Sequence, residues 1–175
     1  MRVYAGFLLF AVLLGCLPFF GGCAIHTPTA EELLSVFTQP FVCGFSASDS
    51  SGEAVPCVLT RTDAGDMLCI SGTSGNTVFV FSGDAVSLSV GAAAGSDALL
   101  LPVTLPCDRG AVQFRSAFCV TADDGFTVSK EDVGYVVSSA DGAFTAVFTG
   151  DGVPVSLSLN TSDTSLVLTI HSFLP

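Results

Sequence analysis

Positive charge is scarce in this chain. Its 175 residues include five lysines and arginines against sixteen acids, for a formal net charge of −11. So acidic a surface repels phosphate backbones and anionic headgroups, which argues against nucleic acid as a partner and against a basic patch gripping lipid. Solubility accounts for most of that charge. Histidine is scarcer still: His26 lies before the first periodic segment and His171 near the end. There is no Gly-x-Ser-x-Gly, no His-Glu-x-x-His, and no glycine-rich phosphate loop between a strand and a helix. No Cys-x-x-Cys or neighbouring His pair offers a zinc site. Asp123-Asp124-Gly125 lacks the alternating acids of a calcium loop and reads as a turn. The expectation is a chain that is not an enzyme and needs neither metal nor cofactor.

What is present begins with the N-terminus. One arginine, an apolar run from Val3 to Leu17 and then Pro18-Phe19-Phe20-Gly21-Gly22-Cys23 make an export signal, too short for an ordinary membrane span. The small residues before a cysteine resemble the lipobox of bacterial lipoproteins, whose thiol is acylated and becomes the first mature residue. A thiolate is the natural nucleophile for that step, and the acyl chains hold the protein at ~0.8 kcal/mol per buried CH₂. Two cysteines compete. Leu13-Leu14-Gly15-Cys16 fits the pattern residue by residue, whereas Phe20-Gly21-Gly22-Cys23 leaves the longer apolar run. Cys23 is favoured, because cleavage at Cys16 would leave Leu17-Pro18-Phe19-Phe20 as an exposed apolar stub. An uncleaved anchor and a secretory peptide cut near Ala24 are the alternatives. The division is then a signal peptide over 1–22, a tether over 23–28 and one domain over 29–175.

In that domain Arg61, Arg109, Arg115 and Lys130 face all sixteen acids, and Cys43, Cys57, Cys69, Cys107 and Cys119 make an odd count. Cys43, Cys57 and Cys69 sit in apolar stretches, where a free thiol packs as a small hydrophobe. Unpaired thiols and one or two disulfides with a leftover thiol both remain open. Thr29 and Glu32 form a capping box, Leu33, Leu34 and Phe37 an apolar stripe, and Pro40 a stop, so a helix opens the domain. From Phe41 the period becomes two. Strands are expected around Phe41–Ala47, Val55–Leu59, Met67–Ser71, Thr77–Phe81 and Ala85–Gly91, separated by Gly, Asp, Ser and Asn turns. A Pro-bounded break follows. Helical spacing returns in Ala111, Phe114, Ala117 and Phe118, with Asp108 as a cap. Strands resume at Phe126, Tyr135–Val137, Phe144–Phe148, Val153–Leu159 and Ser165–Phe173. Clean alternation gives most strands one dry face. The fold class is therefore α+β: a curved antiparallel sheet, an open half-barrel of about nine to eleven strands, with two helices packed on its concave face. Val86, Leu88, Val90, Val153, Val155, Leu157 and Leu159 are expected to line that face.

Pro28-Thr29-Ala30-Glu31-Glu32-Leu33-Leu34, a strand from Phe41, Leu59-Thr60-Arg61, Thr77-Val78-Phe79-Val80-Phe81 and the closing pair of strands resemble, in pattern and order, the lipoprotein-carrier-like (LolA-like) lipoproteins, including the spore-germination lipoproteins of clostridia. The resemblance spans most of residues 29–173. It implies a lipid-anchored protein outside the cell membrane of a bacterium, binding a lipid or hydrophobic ligand in the half-barrel without catalysis. The alternative is a structural or interaction lipoprotein of the envelope or spore with a filled core. Its partners are the membrane through the lipid and a hydrophobic ligand or envelope protein. The absence of tryptophan departs from such carriers, which often place one after an early arginine. From the residues alone, Phe41, Phe45, Phe79 and Phe81 are either core or, if the helices lift, a greasy groove. Arg61 is either an edge-exposed charge, the favoured reading, or a rim cation for a ligand carboxylate or phosphate.

Overall fold

The computed structural model describes residues 26–48, 52–72, 75–82, 85–91, 100–101, 109–123, 125–160 and 165–175. Of residues 82, 85–91, 100–101 and 109–110 it describes the backbone alone. The leader with Cys16 and Cys23, the Asp108 cap and Cys107 lie outside the described residues.

Thr29 opens the first helix through a complete capping box. Its hydroxyl accepts from the Glu32 N–H at 3.2 Å, and the Glu32 carboxylate accepts from the Thr29 N–H at 2.7 Å. This helix, α1, spans only Ala30–Leu34 and tightens into a 3₁₀ turn over Ser35–Phe37. The tightening suits a short stretch that must end before Pro40. Leu33, Leu34 and Phe37 are all buried, as their spacing predicts.

The first meander runs β1 (Phe41–Ser48), β2 (Ala54–Thr62), β3 (Gly65–Gly72), β4 (Gly75–Ser82), β5 (Ala85–Gly91) and β6 (Leu100–Leu101). Helix α2 (Arg109–Ala117) leads to the second: β7 (Phe126–Glu131), β8 (Gly134–Ser139), β9 (Phe144–Phe148), β10 (Pro154–Asn160) and β11 (Ser165–Leu174). The eleven strands of the described residues form one antiparallel sheet in the order β6-β5-β4-β3-β2-β1-β11-β10-β9-β8-β7. Consecutive strands pair as the turns predict, while the β1–β11 seam joins the two meanders at the centre of the sheet. The two outermost strands, β6 and β7, precede and follow α2 in the chain, and α2 lies near β3 and β10. Ala111, Ala117 and Phe118 are buried in the same cluster as Leu33, Leu34, Phe37 and one face of the sheet.

Phe41, Cys43, Phe45 and Ala47 alternate inward along β1, and Phe144, Ala146 and Phe148 do so along β9. On β10 the expectation fails in part. Leu157 is buried and Leu159 partly so, but Val153 and Val155 are exposed. A bulge is the cause: Pro154 pairs with Phe148 and Ser156 with Val147, so Val155 is an extra residue and the alternation shifts by one. A second bulge lies on β11, where Phe45 pairs with Ile170 and Gly44 with Ser172. Val86, Leu88 and Val90 are placed by register opposite Phe81, Phe79 and Thr77. Most strands have one dry face, as their alternation predicts. On the opposite face Val42 of β1, Val58 of β2 and Met67 of β3 are exposed apolar side chains.

Two of the turns test the backbone differently. Gly134, after the turn Asp132-Val133, has φ +142°, and a Cβ there would run into the Phe148 carbonyl oxygen. Gly142 has φ +71° and open space around it. Gly134→Ala is expected to lower the unfolding free energy by about 3 kcal/mol, and Gly142→Ala by about 1 kcal/mol. Urea denaturation of the two variants measures the difference.

Candidate functional site

A cross-strand row of four residues builds the site. The tight turn Asp63-Ala64 sets Arg61 of β2 opposite Asp66 of β3, while Phe41 of β1 and Phe81 of β4 flank them in register. Arg61 lies over the Phe41 ring at 5.3 Å, and Arg115 of α2 lies over the Phe81 ring at 5.0 Å. Between the two guanidinium groups sits Asp66, the buried acid of the core, at 4% exposure. It accepts from Arg61 Nε at 2.8 Å on one oxygen, and from Arg61 Nη2 and Arg115 Nε, each at 2.8 Å, on the other.

Arg61 has five N–H donors, and the protein uses all of them. Besides the two on Asp66, Nη2 donates to Cys119 Sγ at 3.1 Å, and Nη1 donates to the Phe118 carbonyl at 3.0 Å and to the Phe37 carbonyl. Phe37 ends the 3₁₀ turn and Phe118 follows the last residue of α2. Carbonyls at such ends have no partner within their own helix and carry partial negative charge. One guanidinium therefore caps both helical segments and ties them to the sheet. The edge-exposed reading of Arg61 does not hold: β2 lies well inside the sheet and the side chain is 14% exposed. Nor does Arg61 keep a donor for a ligand carboxylate or phosphate.

Beneath the brace the aromatic side chains interlock. The Phe37 ring lies 6.1 Å from Phe41, 5.4 Å from Phe118, 6.1 Å from Phe148 and 5.9 Å from Phe173. Phe45 joins through Phe114 and Phe118 at 6.3 and 5.3 Å. Phe41, Phe45, Phe79 and Phe81 are all buried, so in this conformation they are core rather than an open groove. Two clefts open beside them. One, of about 310 Å³, is lined by Arg61, Asp66, Arg115, Phe118 and Cys119 among others; the second, of about 240 Å³, by Leu34, Val120 and Ala122 with Glu31 at its edge. Thr38, Val120 and Thr121 line both.

Burial pushes the Asp66 carboxyl up, but the bonds from Arg61 and Arg115 outweigh it and hold the group below its ordinary range. A depressed carboxyl gives stability that is present above its unfolded pKa, about 3.9 for aspartate, and lost as pH falls through the lower folded value. The brace is thus expected to survive mild acid and fail below about pH 3.9. Asp66→Asn should remove that part of the acid transition, as read by circular dichroism against pH.

Cys43 and Cys57 are buried, and burial pushes both thiols up to about 12, with Cys69 adding to the effect at Cys57. Cys69 departs from expectation. It sits opposite Val58 on the other face of the sheet and is half-buried. Cys43, Cys57, Cys69 and Cys119 are all free thiols. Among the described residues no group of three His, Cys, Asp or Glu side chains could hold a metal ion. On the opposite face His171 Nε2 and Ser46 Oγ are 2.7 Å apart across the β1–β11 seam. Asp66, Arg115 and Cys119 were not singled out in the sequence. Opposite charges on either side of a two-residue turn were the available signal for Asp66. No family model matches the chain, and no curated protein is significantly similar to it.

Proposed function

We propose that the chain is a bacterial lipoprotein, anchored outside the cell membrane through Cys23, that binds a lipid or other hydrophobic ligand without catalysis in a LolA-like half-barrel. The observation that supports this best is the Arg61 brace. A single side chain fastens two short helical segments over the most aromatic part of the sheet, and such an attachment can be released without dismantling the strands. The Phe37 ring bridges the two meanders, 6.1 Å from the Phe41 ring of β1 and 6.1 Å from the Phe148 ring of β9. An open sheet of this many strands tends to curl. The interlocked rings favour a second reading, an envelope or spore interaction lipoprotein whose filled core takes no small ligand.

Two measurements test the proposal. Cys23→Ser is expected to release the protein or trap its precursor, while Cys16→Ser leaves it anchored. Loss of anchoring in neither variant sinks the lipoprotein reading. Native mass spectrometry of the protein purified from its own membrane is expected to show co-purified lipid. Its absence favours the filled-core reading.

A further inference from the structure

Arg115 differs from Arg61 in what it has left to give. Its Nε is bonded to Asp66 and its guanidinium lies over the Phe81 ring, so the group is held on one edge and one face. Neither Nη makes a hydrogen bond to any of the described residues, and the side chain is 34% exposed along the cleft of about 310 Å³. Four N–H donors therefore remain on a guanidinium whose orientation is already fixed. A fixed guanidinium loses less freedom on meeting a planar anion than a free one does. Among the described residues the charged side chains lining that cleft are Arg61, Asp66 and Arg115, two cations to one acid, in a chain of net charge −11. The acidic surroundings select against polyanions. At Thr38, Val120 and Thr121 this cleft meets the second one, where Leu34, Val120 and Ala122 offer apolar lining and Glu31 would repel a second anionic group.

We propose that Arg115 receives the single carboxylate or phosphate group of an amphiphile whose apolar tail lies in the adjoining cleft beside Leu34 and Ala122. The inference rests on the ligand-binding reading above and assigns that ligand a charged head. Arg115 thereby takes the anion-recognising role that the sequence suggested for Arg61. The head forms charge-assisted hydrogen bonds with the Nη groups, and the tail removes apolar surface from water. No covalent step is involved.

The full chain in lipid nanodiscs, labelled with ¹⁵N in its arginine side chains, tests this by magnetic resonance. Octanoate and octyl phosphate are titrated beside acetate, an anion without a tail, and n-octanol, a tail without an anion. The expected result is a shift of the Arg115 Nη signals with octanoate, octyl phosphate or both, at concentrations at least tenfold below those needed for acetate. The tighter of the two names the headgroup. Arg115→Gln is expected to weaken that binding tenfold or more, and Arg115→Lys to restore part of it, while unchanged Arg61 signals show that the brace remains. Acetate binding as tightly as octanoate and octyl phosphate would overturn the inference. So would tail-bearing anions that bind equally well to Arg115→Gln. If octanol binds as well as octanoate, the charged head is wrong but the hydrophobic-ligand reading stands. If no tail-bearing probe binds, both fall.

Discussion

Arg61→Met is expected to free both helical segments from the sheet at once. Methionine keeps much of the apolar stem and removes all five donors. The Phe37 and Phe118 carbonyls and Cys119 lose their partner, and Asp66 is left buried with Arg115 alone. Breaking a buried ion pair from one side costs about 3–5 kcal/mol when the remaining charge is uncompensated; Arg115 still pairs Asp66 here, so the expected cost lies below that range and falls mainly on the orphaned carbonyls. Arg61→Lys should recover little, since a point charge with three donors cannot reach a carboxylate and two helix ends together. Hydrogen exchange resolves where the cost falls. Faster exchange confined to residues 30–37 and 109–118, with the strands still protected and a hydrophobic dye now bound, marks the helices as a movable cover. Loss of protection throughout marks them as permanent core. Unchanged exchange in both segments would refute the brace.

Phe37→Asp carries the other large effect. The side chain is 1% exposed and meets four rings contributed by β1, α2's C-terminal end, β9 and β11. Emptying a buried Phe site costs about 3–5 kcal/mol, and a carboxylate placed among rings adds a desolvation cost that few partners offset. Ordinary domains have about 5–15 kcal/mol in total, so the variant is expected to be largely unfolded by circular dichroism. Phe37→Leu, which keeps an apolar side chain of similar size, should cost less than about 1.5 kcal/mol. A folded Phe37→Asp that has lost binding of a hydrophobic dye would instead show that α1 moves as a lid.

The regular elements were legible because their signals are local. The Thr29–Glu32 capping box, the alternation of Phe41, Cys43, Phe45 and Ala47, and the spacing of Ala111 and Ala117 each lie within a few residues and match the structure. The misplacement of Val153 and Val155 has an equally definite cause. Alternation extrapolated along β10 takes no account of a bulge, which is fixed by the partner strand rather than by the strand's own residues. Apolar neighbours on both sides of Cys69 hide which face its thiol takes; its pairing opposite Val58 settles that. The Arg61 site was only half visible. Arg61 and Asp66 are five residues apart and meet through a hairpin, but Arg115 is a further 49 residues on and arrives from helix α2. The commitment of all five Arg61 donors depends on the ends of two helices meeting at one point, which no spacing within the chain announces.

The seam between β1 and β11 has a consequence for how the chain reaches its final form. The strands at the middle of the sheet are separated by more than a hundred residues, as the Ser46–His171 bond across 125 positions illustrates. Each meander is built from local hairpins that can close early, yet β1 has one edge open until β11 arrives. Closure of so long a loop is entropically costly and slows folding. During that interval Val42 and its neighbours present an apolar strand with unpaired backbone groups, a template for pairing with another chain. A chain that emerges in the order of its sequence meets this interval every time. Until then the first meander is exposed to aggregation and to holding by a chaperone. Variants truncated within β11 should therefore accumulate as associated, protease-sensitive species, even though β1 to β5 are intact.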